Sequence, residues 1–182
     1  MDMETTKHKL PHDINIFFND LSKYLGTKLL FYGSIQRYDY FPGSSDIDVD
    51  IFTDNVDSTI TRMQHFLHVK RSKFKKIVWQ YSKNGRIIYG NKIGYKNEDI
   101  SLICEFSIYD NKYKSDVIEN HKVKTILPHH ATILLWIIKK LFYDLKFLTD
   151  ENYKYLKNFI LSYMIGMPTE NFQVLNVSEN KY

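Results

Sequence analysis

The fold of this chain is decided by two neighbouring stretches, Gly33-Ser34-Ile35-Gln36-Arg37 and Ser44-Ser45-Asp46-Ile47-Asp48-Val49-Asp50-Ile51-Phe52. Eleven residues separate the Gly-Ser pair from the first aspartate. The alternation of polar and apolar residues predicts a strand with Asp46, Asp48 and Asp50 on one face. Three carboxylates on one exposed face repel one another. A divalent cation such as Mg²⁺ would relieve that repulsion, because it takes oxygen ligands from carboxylates and phosphates together.

The Gly-Ser pair supplies the second half of the pattern. It stands between a short apolar strand predicted over 28–32 and a short helix predicted over 34–40. A tight turn from a strand into a helix points backbone N–H groups at a bound phosphate. The two stretches together predict a phosphate cradle beside a metal site.

The segment from Tyr32 to Phe52 resembles the nucleotide-binding core of the DNA polymerase beta-like nucleotidyltransferase superfamily, in a small, minimal form. The signature of that group is Gly-Ser, a spacer, and Asp-hydrophobic-Asp-hydrophobic. The resemblance implies transfer of a nucleoside monophosphate from an NTP to an acceptor hydroxyl, with release of pyrophosphate. It also implies a two-metal mechanism with Mg²⁺ or Mn²⁺ as the cofactor.

The resemblance also implies roles for individual residues. Asp46 and Asp48 match the two signature carboxylates, which hold the metal ions. Gly33 and Ser34 match the residues that contact the β- and γ-phosphates. Similar proteins use a third carboxylate from a later strand, and Glu105 is our candidate for that catalytic, metal-binding role.

Glu105 is chosen because it lies on a strand predicted over 100–109, on the side opposite an apolar face. The superfamily usually has Asp at this place. Asp50 and Asp110 therefore remain alternatives for the third ligand.

Arg37 and Ser45 complete the candidate nucleotide-binding set. Arg37 lies on the first turn of the predicted short helix, where a cation could reach a triphosphate. Its alternative is a surface arginine that pairs with Asp39 or Asp46. Ser45 has the alternative of a structural role, in which it caps the turn into the metal-binding strand.

A basic run follows the helix predicted over 58–69, with Ser58 as its N-cap. Its cations are Lys70, Arg71, Lys73, Lys75 and Lys76. The run predicts either a solvated loop or a contact with a nucleic-acid backbone, and the net charge of +4 is compatible with a polyanionic partner. We therefore interpret the acceptor as nucleic acid. The alternatives are modification of a partner protein (AMPylation, antitoxin-like) and a non-catalytic interaction protein that keeps this fold.

The remaining patterns predict an α/β (α+β) fold, with a small mixed sheet flanked by helices. A helix is predicted over 13–25, and Asn84-Gly85 predicts a hairpin. Gly90 and Gly94 indicate a bulge or an irregular stretch in its second strand. C-terminal to these strands, two helices are predicted over 129–148 and 150–165, and they form a pair.

The chain is expected to divide into a nucleotidyltransferase core, 1–125, and a C-terminal helical segment packed on it, 126–182. The stretch 133–141 is apolar almost all round, which predicts burial or an interface, and hence a possible homo-oligomer through these helices.

Composition indicates a folded protein, since 43% of the 182 residues are hydrophobic. The single cysteine, Cys104, excludes an intramolecular disulfide and indicates a reducing, cytoplasmic setting. The longest apolar run, 131–138, is too short to cross a bilayer, so no membrane partner is expected.

Overall fold

The computed structural model describes residues 3–81, 83–164 and 173–175. It contains helices and strands in the following order: α1 (His12–Leu25), β1 (Leu29–Tyr32), β2 (Ile47–Thr53), α2 (Val56–Leu67), β3 (Lys75–Gln80), β4 (Ile87–Asn97), β5 (Leu102–Asp110), α3 (Lys114–Thr125), α4 (His129–Tyr143), α5 (Asp150–Phe159) and β6 (Gln173–Leu175). The predicted mixed α/β architecture is confirmed.

The strands form one mixed sheet in the order β1-β2-β5-β4-β3-β6. Only β2 and β5 run parallel; the other neighbours are antiparallel. The register places Asp48 beside Glu105, and Lys92 beside Ser107. Residues that are side by side share a face of the sheet. We call the face that carries Asp48, Asp50, Glu105 and Lys92 the carboxylate face.

The opposite face of the sheet is covered by α1 and α2. Its strand residues, among them Val49 and Phe106, are fully buried in one cluster with apolar side chains of both helices. The predicted period of two in β2 is therefore confirmed. Helix α2 begins earlier than predicted, because the side chain of Asn55, rather than that of Ser58, forms the N-cap by accepting from the Ser58 N–H at 2.9 Å.

Strand β4 is continuous from Ile87 to Asn97, so the bulge expected at its glycines is not present. A Cβ atom at Gly90 would lie only 2.5 Å from Cε1 of Tyr109. The glycine therefore lets an aromatic ring of β5 lie directly over the backbone of β4. At Gly94, which pairs with Glu105, nothing lies within 4 Å of such an atom.

Helix α3 was not predicted from the sequence. Val117 of α3 and Tyr113, the residue before the helix, pack with Phe52 and Tyr109, so that α3 covers one end of the carboxylate face. Among the described side chains of α3, the other buried ones are polar: Asp116, Asn120, His121 and Thr125. A helix that buries polar groups lacks the apolar periodicity by which a helix is recognised in a sequence.

The C-terminal helices form a cluster of their own. Leu135 and Ile138 of α4 pack with Tyr153 of α5 and with Ile160, in the π-helical turn Ile160–Met164. Helix α5, predicted over 150–165, ends at Phe159 in the structure. Met164 is the last residue described before the strand β6. That short strand pairs with β3, so a part of 126–182 belongs to the sheet. The division at 125 stays a prediction.

Helix α4 is only partly buried. Ile133, Trp136 and Ile137 are 58%, 41% and 41% exposed, which differs from the burial expected for an apolar helix and leaves the interface alternative open. Among the described residues, no helix is both long enough and apolar enough to cross a membrane.

Candidate active site

The sheet brings two of the three candidate carboxylates directly together. Asp48 on β2 and Glu105 on β5 are register partners on adjacent parallel strands. Asp46 lies just before β2 in the same phase as Asp48 and is exposed. The fields of all three carboxylates reach the buried Cys104 thiol, whose pKa is raised by burial first and by these charges in addition. Asp48 and Glu105 thus lie side by side on the carboxylate face, and the charge of Asp46 acts on Asp48 from just before the strand. We call these three residues the acidic site.

Gly33 lies against this acidic site. It begins a single 3₁₀ turn, Gly33–Gln36, with a φ of 71°, and a Cβ atom added to it would lie 2.2 Å from Oδ2 of Asp48. Glycine is therefore required at this position for two reasons, its backbone conformation and the close approach of the carboxylate. The same contact joins the Gly-Ser turn and the carboxylate strand into one unit.

The turn after Gly33 is shorter than the helix predicted over 34–40. Arg37 already has an extended backbone. The buried side chain of Gln36 donates hydrogen bonds to the carbonyl oxygens of Thr5 and Phe31, the latter at 3.1 Å, and so fastens the turn to β1 and to the N-terminal segment. Ser34 is 6% exposed at the start of this turn.

Asp48 is held in an unfavourable electrostatic position. Its burial, followed by the charges of Asp46 and Glu105, raises its pKa to about 8, although Lys157 and Lys92 act in the opposite direction. A carboxylate with such a pKa is suited to a ligand that supplies positive charge.

The raised pKa of Asp48 predicts that the metal-free protein loses stability as the pH rises from about 4 to about 8. Between these values the folded state holds a proton that the unfolded state has released, so the unfolding free energy falls, by at most about 1.4 kcal/mol per pH unit. After solvent screening we expect about 1–2 kcal/mol in total. Denaturant titrations in EDTA at pH 5 to 8 should show that the unfolding free energy of wild type decreases, relative to that of Asp48→Asn, as the pH rises. Parallel curves for the two proteins would contradict the expectation.

Glu105 is bound to a lysine of the neighbouring strand. Nζ of Lys92 lies 2.7 Å from Oε1 of Glu105, and both side chains are about one-third exposed. Glu105 can therefore bind a ligand in one of two ways. Its carboxylate contacts both the ligand and Lys92, or the ion pair with Lys92 breaks. Asp110, one alternative for the third ligand, lies at the far end of β5, where its Oδ1 accepts from the N–H of Lys112 at 2.9 Å.

Asp50, the other alternative, is completely buried beneath α3. Its Oδ2 lies 2.8 Å from Nε2 of His121, whose ring stacks on Tyr32 with 3.8 Å between the centroids. The Asp50–His121 contact lacks hydrogen-bond geometry, and these side-chain atoms have no other hydrogen bond among the described residues. The sequence expectation of three exposed carboxylates is therefore wrong for Asp50.

Arg37 and Ser45 have protein partners. Nε and Nη2 of Arg37 donate to the two carboxylate oxygens of Asp39 at 2.7 and 3.0 Å. Ser45 is buried, and its Oγ accepts from the N–H of Phe41 at 3.2 Å, which closes the turn before Asp46. The pairing of Arg37 with Asp39 and the turn role of Ser45 were the alternatives that the sequence left open. Contacts of either residue with a nucleotide stay predictions.

Lys157 on α5 is a site residue that the sequence does not reveal. Its charge acts on the pKa of Asp48, against the larger effect of burial, so the C-terminal helix pair places a cation near the carboxylates. Neither spacing nor a motif marks this lysine, because it reaches the site only through tertiary packing.

The basic run lies at the start of β3. Arg71 forms an ion pair with Asp57, whereas Lys70, Lys73, Lys75 and Lys76 form none with the rest of the described chain. Lys75 is exposed and lies directly opposite Lys92 on β4. Two like charges side by side on a sheet are unfavourable unless an anion neutralises them.

The chain was compared with known proteins. No protein-family model matches it, and no curated protein matches it. Among solved structures it is similar to the Cid1 poly(U) polymerase in its MgGTP-bound form. The TM-score is 0.48 and the identity 16%, over 86% of this chain and 50% of that chain. The chain thus spans half the length of that polymerase.

The acidic site has the donor atoms that Mg²⁺ or Mn²⁺ prefers, since Asp46, Asp48 and Glu105 present only carboxylate oxygens. Within residues 3–81, 83–164 and 173–175, no three acidic, His or Cys groups come close enough to form a complete metal cage. An ion held by these side chains would keep coordination positions open for further oxygen ligands.

Proposed function

We propose that this chain is a metal-dependent nucleotidyltransferase of the DNA polymerase beta-like superfamily, which transfers a nucleoside monophosphate from an NTP to an acceptor hydroxyl. One observation carries the proposal: Asp48 lies beside Glu105 in register and packs its carboxylate against the Cα atom of Gly33. Carboxylate oxygens bind divalent ions together with phosphate oxygens, and a turn with a left-handed residue can present backbone N–H groups to an anion.

In the transfer, the acceptor oxygen forms a bond with the α-phosphorus, and the bond from that phosphorus to the bridging oxygen breaks, so that pyrophosphate leaves. Divalent ions, when bound, neutralise the charge of the phosphates. Asp46 and Asp48 would hold those ions, and the Gly33-Ser34 backbone would orient the terminal phosphates. The carboxylate of Glu105 receives the acceptor proton, and Lys157 adds positive charge at the same site.

The test uses purified protein with each α-³²P-labelled NTP and either Mg²⁺ or Mn²⁺. RNA, primer–template DNA and lysate protein are offered as acceptors in parallel. Transfer of label that is lost in an Asp46→Ala/Asp48→Ala variant would support the proposal and name the class of acceptor. Absence of label in every acceptor, together with failure to bind Mn²⁺, would refute it in favour of a non-catalytic interaction protein.

Glu105→Gln is expected to lower the transfer rate by about 10²- to 10³-fold, because it removes one ionised ligand and the proton acceptor. The rate is measured under saturating NTP. Asp110→Asn serves as the matched control on the same strand and should stay close to wild type. Full activity of Glu105→Gln would move the third-ligand role to Asp50 or Asp110.

We propose nucleic acid as the acceptor, because the lysines at the start of β3 continue along the sheet through Lys75, opposite Lys92, towards Glu105. Lys70, Lys73, Lys75 and Lys76 have no ion pair within the described part of the chain. A phosphate backbone would neutralise this row of cations. The buried, unpaired Cys104 fits the reducing, cytoplasmic setting that we propose for this activity.

Lys73→Ser/Lys75→Ser is expected to weaken binding of a single-stranded oligonucleotide without changing the KM for the NTP. Loss of two phosphate contacts should reduce the slope of log K against log salt by about 1.4. Fluorescence anisotropy at several salt concentrations measures this slope. Lys9→Ser/Lys23→Ser removes the same charge elsewhere and should leave binding unchanged; equal losses in both variants would point to net charge alone.

A partner protein is the second acceptor class, and the exposed Ile133, Trp136 and Ile137 of α4 favour it. Exposed apolar side chains close together on one helix are typical of protein-binding surfaces. A second copy of this chain could use the same surface. Chromatographic mass at two concentrations tests for the homo-oligomer, and label in a protein band tests for protein modification.

A further inference from the structure

A buried lysine connects α4 with the segment 37–46 that leads to the metal-binding strand. Lys139 is 3% exposed and Asp39 is completely buried. Nζ of Lys139 donates to the carbonyl oxygen of Asp39 at 2.8 Å and lies 3.1 Å from its Oδ2. The same Nζ donates to Oγ of Ser45 at 3.4 Å. Ser45 is the residue before Asp46, so this contact lies next to the acidic site.

A second residue of α4 reaches the same serine. Tyr143 stands one helical turn after Lys139, on the same side of α4, and its hydroxyl lies near the side chain of Ser45. The ring of Phe41 packs against the rings of Trp136 and Tyr143, with centroids 6.3 and 5.9 Å apart. One face of α4 thus holds the segment in front of Asp46 through polar and aromatic contacts together.

Charge neutralisation does not explain why Lys139 is buried. Asp39 already receives two hydrogen bonds from Arg37, which satisfy both carboxylate oxygens. Lys139 therefore adds a second positive charge to a pair that is neutral without it. Burying an ammonium group costs desolvation free energy, and an apolar side chain of similar volume is often at least as stabilising. The contact is better explained by the position that it gives to Ser45.

We propose that Lys139 is a positioning residue, which holds Ser45 and thereby sets the place of the Asp46 carboxylate in the metal site. The proposal rests on the proposed function for its chemical meaning. The C-terminal helix pair would then support the metal site, because without α4 the segment before Asp46 would lose its buried contacts with Lys139.

The experiment compares Lys139→Met with Lys140→Met. Lys140 is exposed and its ammonium group lies over the ring of Trp136, so the control makes the same chemical change one position further along. Amide hydrogen exchange of peptides covering 40–46 and 102–110 is measured first. Lys139→Met should exchange about tenfold faster in 40–46 and not in 102–110, with little change in global unfolding free energy.

The second measurement is Mn²⁺ affinity, followed by paramagnetic resonance of the free ion. Lys139→Met should bind Mn²⁺ about tenfold more weakly than Lys140→Met, as expected when the support of a metal ligand is lost, and Lys139→Arg should recover part of the affinity. Transfer kinetics should show a lower kcat with a nearly unchanged KM for the NTP.

Exchange in 40–46 that is equally slow in both methionine variants overturns the proposal. Faster exchange with unchanged Mn²⁺ affinity overturns it as well, since Lys139 would then hold the segment without positioning Asp46. If wild type neither binds Mn²⁺ nor transfers nucleotide, the proposed function fails, and the exchange data alone decide whether Lys139 holds the segment.

Discussion

Asp48→Asn should lower nucleotidyl transfer by about 10³-fold or more, while the protein remains folded. This loss corresponds to about 4 kcal/mol of transition-state stabilisation, which is reasonable for removal of a ligand shared by metal ions. Asp46→Asn should have a similar effect on the rate. The measurement is single-turnover transfer of labelled nucleotide at saturating Mg²⁺, with Mn²⁺ binding determined on the same samples.

The stability of the Asp48 variant makes this prediction specific. The asparagine removes a carboxylate whose pKa is raised by burial and by the charges of Asp46 and Glu105, so the variant should unfold at a higher temperature than metal-free wild type at pH 8. Loss of activity with a gain in stability cannot be caused by misfolding. Asp20→Asn, an exposed change on α1, is the control that should alter neither property. Activity of Asp48→Asn within tenfold of wild type would rule out the metal-site assignment.

Gly33→Ala is the second change with a large expected effect. A Cβ atom at this position would lie 2.2 Å from Oδ2 of Asp48, and the backbone φ of 71° is unfavourable for alanine. Either the carboxylate or the turn must move. We expect transfer to fall by about 10²-fold or more and the unfolding free energy to fall by about 2–3 kcal/mol, since backbone strain and displacement of Asp48 add together.

Gly26→Ala separates the two contributions. Gly26 has nearly the same φ, 67°, but nothing lies within 4 Å of an added Cβ atom. It should therefore show only the cost of the left-handed conformation, about 1 kcal/mol, with full transfer activity. Thermal unfolding and transfer rates of the two variants are compared side by side. If Gly33→Ala behaved like Gly26→Ala in both assays, the close contact between the turn and Asp48 would have no functional importance.

Local patterns were sufficient for much of the sheet. The alternation in 46–52 predicted on which face of the sheet each β2 side chain lies, and Asn84-Gly85 predicted the hairpin between β3 and β4. Both signals work at short range, because side-chain direction along a strand and the geometry of a short turn depend only on neighbouring residues. The glycines of β4 were misread as a bulge, since the reason for Gly90 is a ring contributed by Tyr109.

For the candidate site, the Gly-Ser pair and the Asp-x-Asp pattern identified the region, and strand phase proposed Glu105. The structure brings Glu105 beside Asp48, but its metal-binding role stays a prediction. Strand phase could not separate Glu105 from Asp50, since both lie on the carboxylate face. Helix α3 makes the difference, because it buries Asp50 against His121 and leaves Glu105 accessible.

By itself the sequence determined the class of fold, the orientation of the β2 side chains, and the position of the Gly-Ser turn before the acidic strand. Tertiary structure alone decided how the acidic site is completed. Asp48 and Glu105 meet through strand register, Lys157 comes from α5, and Lys139 reaches Ser45 across a long stretch of chain. The physical reason is that local periodicity determines which way a side chain points, whereas the choice of its partners depends on packing between elements far apart in sequence.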